Sequence, residues 1–397
     1  MKNESVAVLD IRSDGISFML GARGVNNTFV FKDVKSEKFV GFSAETVGIL
    51  EKDSFQNAVT NAIHTVCKNY EGNIREVYVG VPSWAVSVLT LGHTNSYPTK
   101  RKISAQDVDA LYESGLNKLM SQGKCIRRSN MYFTLGDNRK YFSQTDLYGI
   151  STTMLFGGLC YYFTSEDFFQ TLEGLLKPLG FIDVYYIPST LAQANYLFPE
   201  KKREGYAFLL DIGKHTSSVS VVYGHGIVHE ATFTVGVEKV LQSLESRFEI
   251  DRAMAREMLL DANISGGAVA PDLTWQALQE DKAYSVAEIN EEIKRAVDEL
   301  CEKVDEFFNE YYKERASVAF PVIPIAVTGD GVGQIKGLCE HISRRLGMLT
   351  EVTAPDLPYY DKPQFSSVIS LLDMALSDKK QQSWIYKIFN IIGGKRK

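Results

Sequence analysis

Several features that would classify the chain at once are missing. No stretch approaches the ~20 consecutive apolar residues of a membrane-spanning helix. The five cysteines (Cys67, Cys125, Cys160, Cys301 and Cys339) are scattered, odd in number and without a CxxC pair. That argues against a disulfide framework or a thiolate zinc site and fits a reducing compartment, with each cysteine a small core residue. The six histidines show no metal-ligand spacing, and no Ser/His/Asp or Cys/His set is recognisable. There is no basic excess. The net charge of -6 argues against a nucleic-acid partner. The opening Met1-Lys-Asn-Glu-Ser carries no apolar signal-peptide core. The expectation is a cytoplasmic protein whose membrane contact, if any, is peripheral.

What is present is a large core. At 397 residues and 45% hydrophobic content, the chain is too long for one ordinary domain and predicts two elaborated halves. A long-range repeat supports this. Residues 7–11 read Ala-Val-Leu-Asp-Ile and residues 208–212 read Phe-Leu-Leu-Asp-Ile. Each apolar strand ends near an Asp, turns through polar residues, and is followed by a second and a third strand. Strands then alternate with helices, which predicts a mixed α/β fold with largely parallel sheets. The first half covers 1–82 and 165–200. An α+β subdomain is inserted at 83–164, with a basic loop at Lys100, Arg101 and Lys102 and a capped helix start at Ser104. The second half covers 201–376, with a helical subdomain at 236–320. A polar linker at 377–383 leads to a distinct tail at 384–397.

Two Asp-ended hairpins facing one another can grip a nucleotide: turn amides point at phosphate oxygens and the carboxylates hold a metal and its waters. The second hairpin offers Asp211, Gly213, Lys214, Thr216 and Ser217; the first offers Asp10 and Ser13. Asp10 and Asp211 are the candidate magnesium ligands, through water. Thr328-Gly329-Asp330-Gly331, between a strand and a helix, could cover an adenosine. Each element alone also reads as an ordinary turn.

The order of these motifs resembles the actin and sugar-kinase superfamily, and within it the bacterial cell-division family FtsA. The likeness is carried by Val79-Gly80-Val81-Pro82-Ser83, Ile187-Pro188-Ser189-Thr190-Leu191-Ala192, Asp211 to Ser217, Thr234-Val235-Gly236-Val237-Glu238, Thr328 to Gly331 with Gly337, and Pro363 to Leu372. The resemblance implies a duplicated actin-like (ribonuclease H-like) ATPase fold, ATP and magnesium as cofactors, and Gly236 and Glu238 beside the nucleotide. It also implies self-association into filaments, a place at the division site, and docking of an FtsZ-type filament's C-terminal peptide on the subdomain holding helix 285–314, where Arg295 could serve an acidic peptide or belong to a solvated helix face. The chain departs from the family where glycines are usual, at Arg12, Lys214, His215, Val237 and Asp330. A Cβ where φ must be positive costs roughly 1–2 kcal/mol, so the expectation is a degenerate site with weak or absent ATPase. The alternative is an actin-like scaffold of another membrane machine, such as the PilM family of type IV pilus assembly.

The tail has a helical period. At 100° per residue, Trp384, Ile385, Ile388, Phe389, Ile391 and Ile392 share one arc, Lys387 lies opposite, and Lys395, Arg396 and Lys397 close the chain. A short apolar stripe with a basic end reads as an interfacial membrane anchor. Each basic residue adds about 1 kcal/mol near anionic lipid. The competing readings are a helix docked on the protein's own core and a partner-binding helix.

Overall fold

The computed structural model describes residues 5–70, 72, 74–119, 123–137, 139–267, 270, 272–276, 282–314 and 323–393, with the side chains of 312–314 and 381–393 outside that set. The chain opens with an antiparallel meander, β1 (Val6–Ile11), β2 (Gly15–Arg23) and β3 (Phe29–Lys38). Helix α1 (Lys52–Lys68) then returns it to β4 (Glu76–Val81), which pairs parallel with β1. The inserted subdomain follows: β5 (Ser87–Lys102), α2 (Ala105–Leu116), β6 (Lys124–Thr134) and β7 (Ser151–Thr164). Its three strands form an antiparallel sheet ordered β5-β7-β6. Helix α3 (Glu166–Leu176), strand β8 (Asp183–Pro188) and helix α4 (Ser189–Leu197) complete the first half.

The second half repeats the plan with β9 (Tyr206–Ile212), β10 (Ser217–Tyr223) and β11 (Gly226–Phe233). Helices α5 (Val237–Phe248), α6 (Arg252–Asp261) and α7 (Val286–Glu314) lead to β12 (Ile325–Thr328). Then come α8 (Leu338–Leu346), β13 (Thr350–Val352) and a last helix, α9 (Ser366–Gly393). The sheets are ordered β3-β2-β1-β4-β8 and β11-β10-β9-β12-β13. Each sheet therefore has an antiparallel meander on one side and two parallel strands on the other, so the sheets are mixed, as expected, with parallel and antiparallel pairs in equal number. The registers also repeat: Asp10 faces Ser17 across the first hairpin, and Asp211 faces Ser218 across the second.

Local chemistry sets the boundaries. The backbone N–H of Ser104 donates to the Asp107 carboxylate at 2.9 Å, closing a capping box on α2. Ser165 and Asp251 accept the third-residue amides of α3 and α6. Lys100, Arg101 and Lys102, expected in a loop, lie at the end of β5, because Arg101 and Lys102 pair with Thr152 and Ser151.

The last helix differs most from the sequence reading. Its first turns, counted with the second half from sequence, pack on the first: Val368, Ile369, Leu371, Leu372, Ala375 and Leu376 bury against Val6, Val8, Met19, Tyr78, Ile187 and Ala192. The polar stretch 377–383, expected as a linker, is helical and lies inside α9. Ion pairs to strands of the first half and the insert hold it. Arg127 on β6 makes two bonds to Asp378, at 2.6 and 2.9 Å, and Lys379 reaches Glu76 at 2.5 Å. Arg23 on β2 pairs with Asp373 one turn earlier.

Candidate functional site

The first turns of the two meanders meet in a cleft between the halves. Its walls include Arg12, Ser13 and Asp14 from the first hairpin, Asp211, Gly213, Lys214 and Thr216 from the second, and Gly329 and Asp330 from the loop after β12. The free space they enclose is about 70 Å³.

Asp10, at the end of β1, is 2% exposed and accepts a 2.6 Å bond from the Ser367 hydroxyl at the start of α9. Asp211, at the end of β9, accepts a 2.7 Å bond from Gln193 Nε2 on α4. Burial pushes both carboxyls up to about 6, against the pull of the Arg12 guanidinium. Each Asp thus hydrogen-bonds an element outside its own hairpin.

Arg12 lies between the halves. Its Nη1 contacts both carboxylate oxygens of Asp330 at 2.7 Å. Asp10, Asp14 and Asp211 also act on the guanidinium, holding it firmly protonated against the cost of burial. Two further contacts join the hairpins. The amide of His215 donates to Ser13 Oγ at 3.3 Å, and Lys214 Nζ stands 3.9 Å from Asp14. The His215 ring stacks on Phe42 of the first half at 5.5 Å.

The structure brings Ser13, Asp211, Gly213, Lys214, Thr216 and Gly329 to the cleft, with Asp10 buried behind Ser367, and turns Ser217, Gly236, Glu238 and Gly331 elsewhere; the tail positions Trp384 to Lys397 lie outside the described side chains. Ser217 donates its hydroxyl to the Val235 carbonyl at 2.6 Å, and its neighbour Ser218 lines the cleft instead, as strand alternation requires. Glu238 pairs with Arg252, while its amide donates to the Lys214 carbonyl at 2.8 Å. Gly236 and Gly331 serve close packing. A Cβ on Gly236 would stand 2.5 Å from the Lys214 carbonyl oxygen, and one on Gly331 would stand 2.7 Å from the Ile212 side chain. Gly329 has φ +102°, and a Cβ there would stand 2.1 Å from Asp211 Oδ1. Arg295 is engaged by Glu292 and by the Ser243 hydroxyl at 3.2 Å.

The sequence reading did not mark Ser189, Gln193, Trp84, Ser367 or Glu230 as site residues. Ser189 Oγ, Gln193 Oε1, Trp84 Nε1 and Arg12 Nε are buried without a hydrogen-bond partner. These four residues line the cleft, so small polar occupants such as water fit there. Glu230, on β11, accepts a 3.2 Å bond from Ser220 and is raised to about 7 by burial, with Asp211 adding to the rise. Among the described residues no group of three or more His, Cys, Asp or Glu is placed to hold a metal ion.

Comparison with solved structures fits this architecture. The chain is similar to a protein of a "PilM-PilN type IV pilus biogenesis complex" at 12% identity and TM-score 0.61, covering 94% of this chain and 98% of that one. The fold is that of the actin-like ATPases. MreB5 of Spiroplasma citri bound to ADP aligns at 11% identity and TM-score 0.53, covering 96% and 98% of the two chains. The ethanolamine utilization protein EutJ of Carboxydothermus hydrogenoformans aligns at 12% identity and TM-score 0.51, covering 95% and 91%. No family model and no curated protein sequence matches. The actin-like duplication accounts for the paired Asp–Ser hairpins, and the MreB5 structure shows that this fold can hold a nucleotide.

Proposed function

We propose that the chain is a non-catalytic, actin-like scaffold that fixes part of a cytoplasmic machine to the inner face of the membrane through residues 384–397. The observation that carries this reading is the course of α9. It is bound to the body by ion pairs at Asp373, Asp378 and Lys379 and continues without a break to Gly393. At 100° per residue, the apolar positions of 384–392 centre roughly opposite the positions 368–376 that pack on the first sheet. With Lys387, Lys395, Arg396 and Lys397 on the same segment, an anionic bilayer is the surface that suits it.

No helix among the described residues is long and apolar enough to cross a membrane, so the contact proposed is interfacial. One short helix binds only moderately. Self-association into filaments would multiply the effect through avidity.

For the partner, the reading follows the pilus-type neighbour rather than an FtsZ-type filament. Arg295, the expected dock for an acidic C-terminal peptide, pairs with Glu292 on its own helix and stays largely exposed, so this contact does not separate the two partners and the preference rests on the likeness in fold. Two assays test the proposal. Sedimentation with anionic liposomes should retain the full chain and lose a variant ending at residue 383; equal retention of both would end the anchoring idea. Pull-downs with a PilN-type cytoplasmic peptide and an FtsZ C-terminal peptide should favour the first; capture by the second alone would return the chain to a division role.

A further inference from the structure

The actin-like fold implies magnesium and a nucleotide in the cleft, and the residues present do not fit them. We infer that the Arg12–Asp330 pair stands in for the metal and phosphates, so that the two halves are clasped by the chain's own side chains and the cleft is a fixed joint rather than a nucleotide switch.

The first ground is charge. In a nucleotide site of this kind the turn amides and the carboxylates receive phosphate and a hydrated cation. Here a guanidinium already lies among Asp10, Asp14, Asp211 and Asp330. It offsets part of their charge at the place where a divalent ion would be needed, and it would repel that ion. Asp330 brings a carboxylate to the loop expected to cover the adenosine, close to where phosphates would carry like charge. Lys214, the residue best suited to a phosphate, faces Asp14.

The second ground is room. About 70 Å³ of free space is far below the several hundred Å³ usual for sites that hold ligands of this size. The hairpins approach closely enough for the His215 amide to reach Ser13 Oγ.

The third ground is that the clasp has a second arm. At the start of α9, Ser367 donates to Asp10 of the first half, while Ser366 accepts a 2.7 Å bond from Thr328 of the second. One helix end thus ties β1 to β12. The nucleotide's bridging task is shared between this helix and the Arg12–Asp330 pair. The inference rests on the cleft and is independent of what the tail binds.

Calorimetry of the full chain with Mg-ATP and Mg-ADP provides the test. The wild type should give no binding heat up to millimolar nucleotide. The double variant Arg12→Gly/Asp330→Gly, which removes the pair and frees its space, should bind at least tenfold more tightly. Micromolar binding by the wild type would overturn the inference, as would a folded double variant that binds no better. Should the double variant not fold, Arg12→Gln removes the charge and keeps a polar side chain in most of the space. Hydrogen exchange of the amides in 12–15 and 213–216 should then accelerate at least tenfold relative to wild type, and unchanged protection would overturn the inference.

Discussion

Replacing Glu230 by Gln should stabilise the protein at neutral and alkaline pH. Glu230 is raised from its ordinary 4.5 to about 7, chiefly by burial, and Ser220 and Thr190 bonds recover only part of the cost. A carboxyl with a native pKa above its unfolded value binds more protons in the native state. Its contribution to stability is complete below about 4.5 and is lost as pH rises through about 7. Between 4.5 and about 7, at 1.36 kcal/mol for each pH unit, that loss comes to about 3 kcal/mol. Asp10 and Asp211, raised to about 6, add a similar loss that is complete only by about pH 7, so the difference between variant and wild type, rather than the wild-type slope, reports on Glu230. Gln keeps the shape and the capacity to accept from Ser220 without the charge. Urea unfolding between pH 5.5 and 8 is the assay. Between pH 5.5 and 8 the Glu230→Gln midpoint should fall less than the wild-type midpoint, and it should exceed wild type at pH 8. A variant that is less stable than wild type at pH 8, with the same slope, would refute the reasoning.

Asp378→Ala should leave the Arg127 guanidinium, partly buried, without its two bonds, costing about 1.5–3 kcal/mol locally. Hydrogen exchange in the 374–380 stretch of α9 should then accelerate roughly 10- to 100-fold, whereas unchanged exchange would mean that the pair does not hold the helix. Leu371→Ala, at a fully buried site between α9 and the first sheet, should cost about 2–5 kcal/mol by denaturation, and a loss near zero would deny that α9 belongs to that core. Gly329→Ala combines a left-handed φ with a Cβ 2.1 Å from Asp211 Oδ1 and should cost more than the ~1 kcal/mol of the backbone term alone. Stability equal to wild type would show that the loop can move aside.

The hairpin repeat was readable from sequence because each copy is local: an apolar strand, an Asp near its end, polar turn residues and a second strand within about a dozen positions. The insert was readable for a similar reason, through the capping signal Ser104–Asp107. The cleft residues were partly legible. Alternation separates Ser217 from Ser218, but only once the strand's facing is known, and Glu238 is claimed by Arg252, a choice fixed by the approach of α6. The end of the chain was misread for a physical reason. Ser377 to Ser383 is polar, and in isolation a polar stretch after an apolar one looks like a linker. Its helical state depends on Arg127 and Glu76, which lie 251 and 303 positions away in sequence. An amphipathic stripe such as Val368 to Leu376 likewise shows that a face is buried without showing which sheet buries it.

The central claim, that the tail meets lipid, can be read from Trp384 directly. The emission of the full chain, corrected with a Trp384→Phe variant for Trp84 and Trp275, isolates this one indole. On adding anionic vesicles it should shift to shorter wavelength and be quenched by brominated acyl chains, with little change on neutral vesicles. An indole whose emission is unmoved and unquenched at saturating anionic lipid would contradict the account.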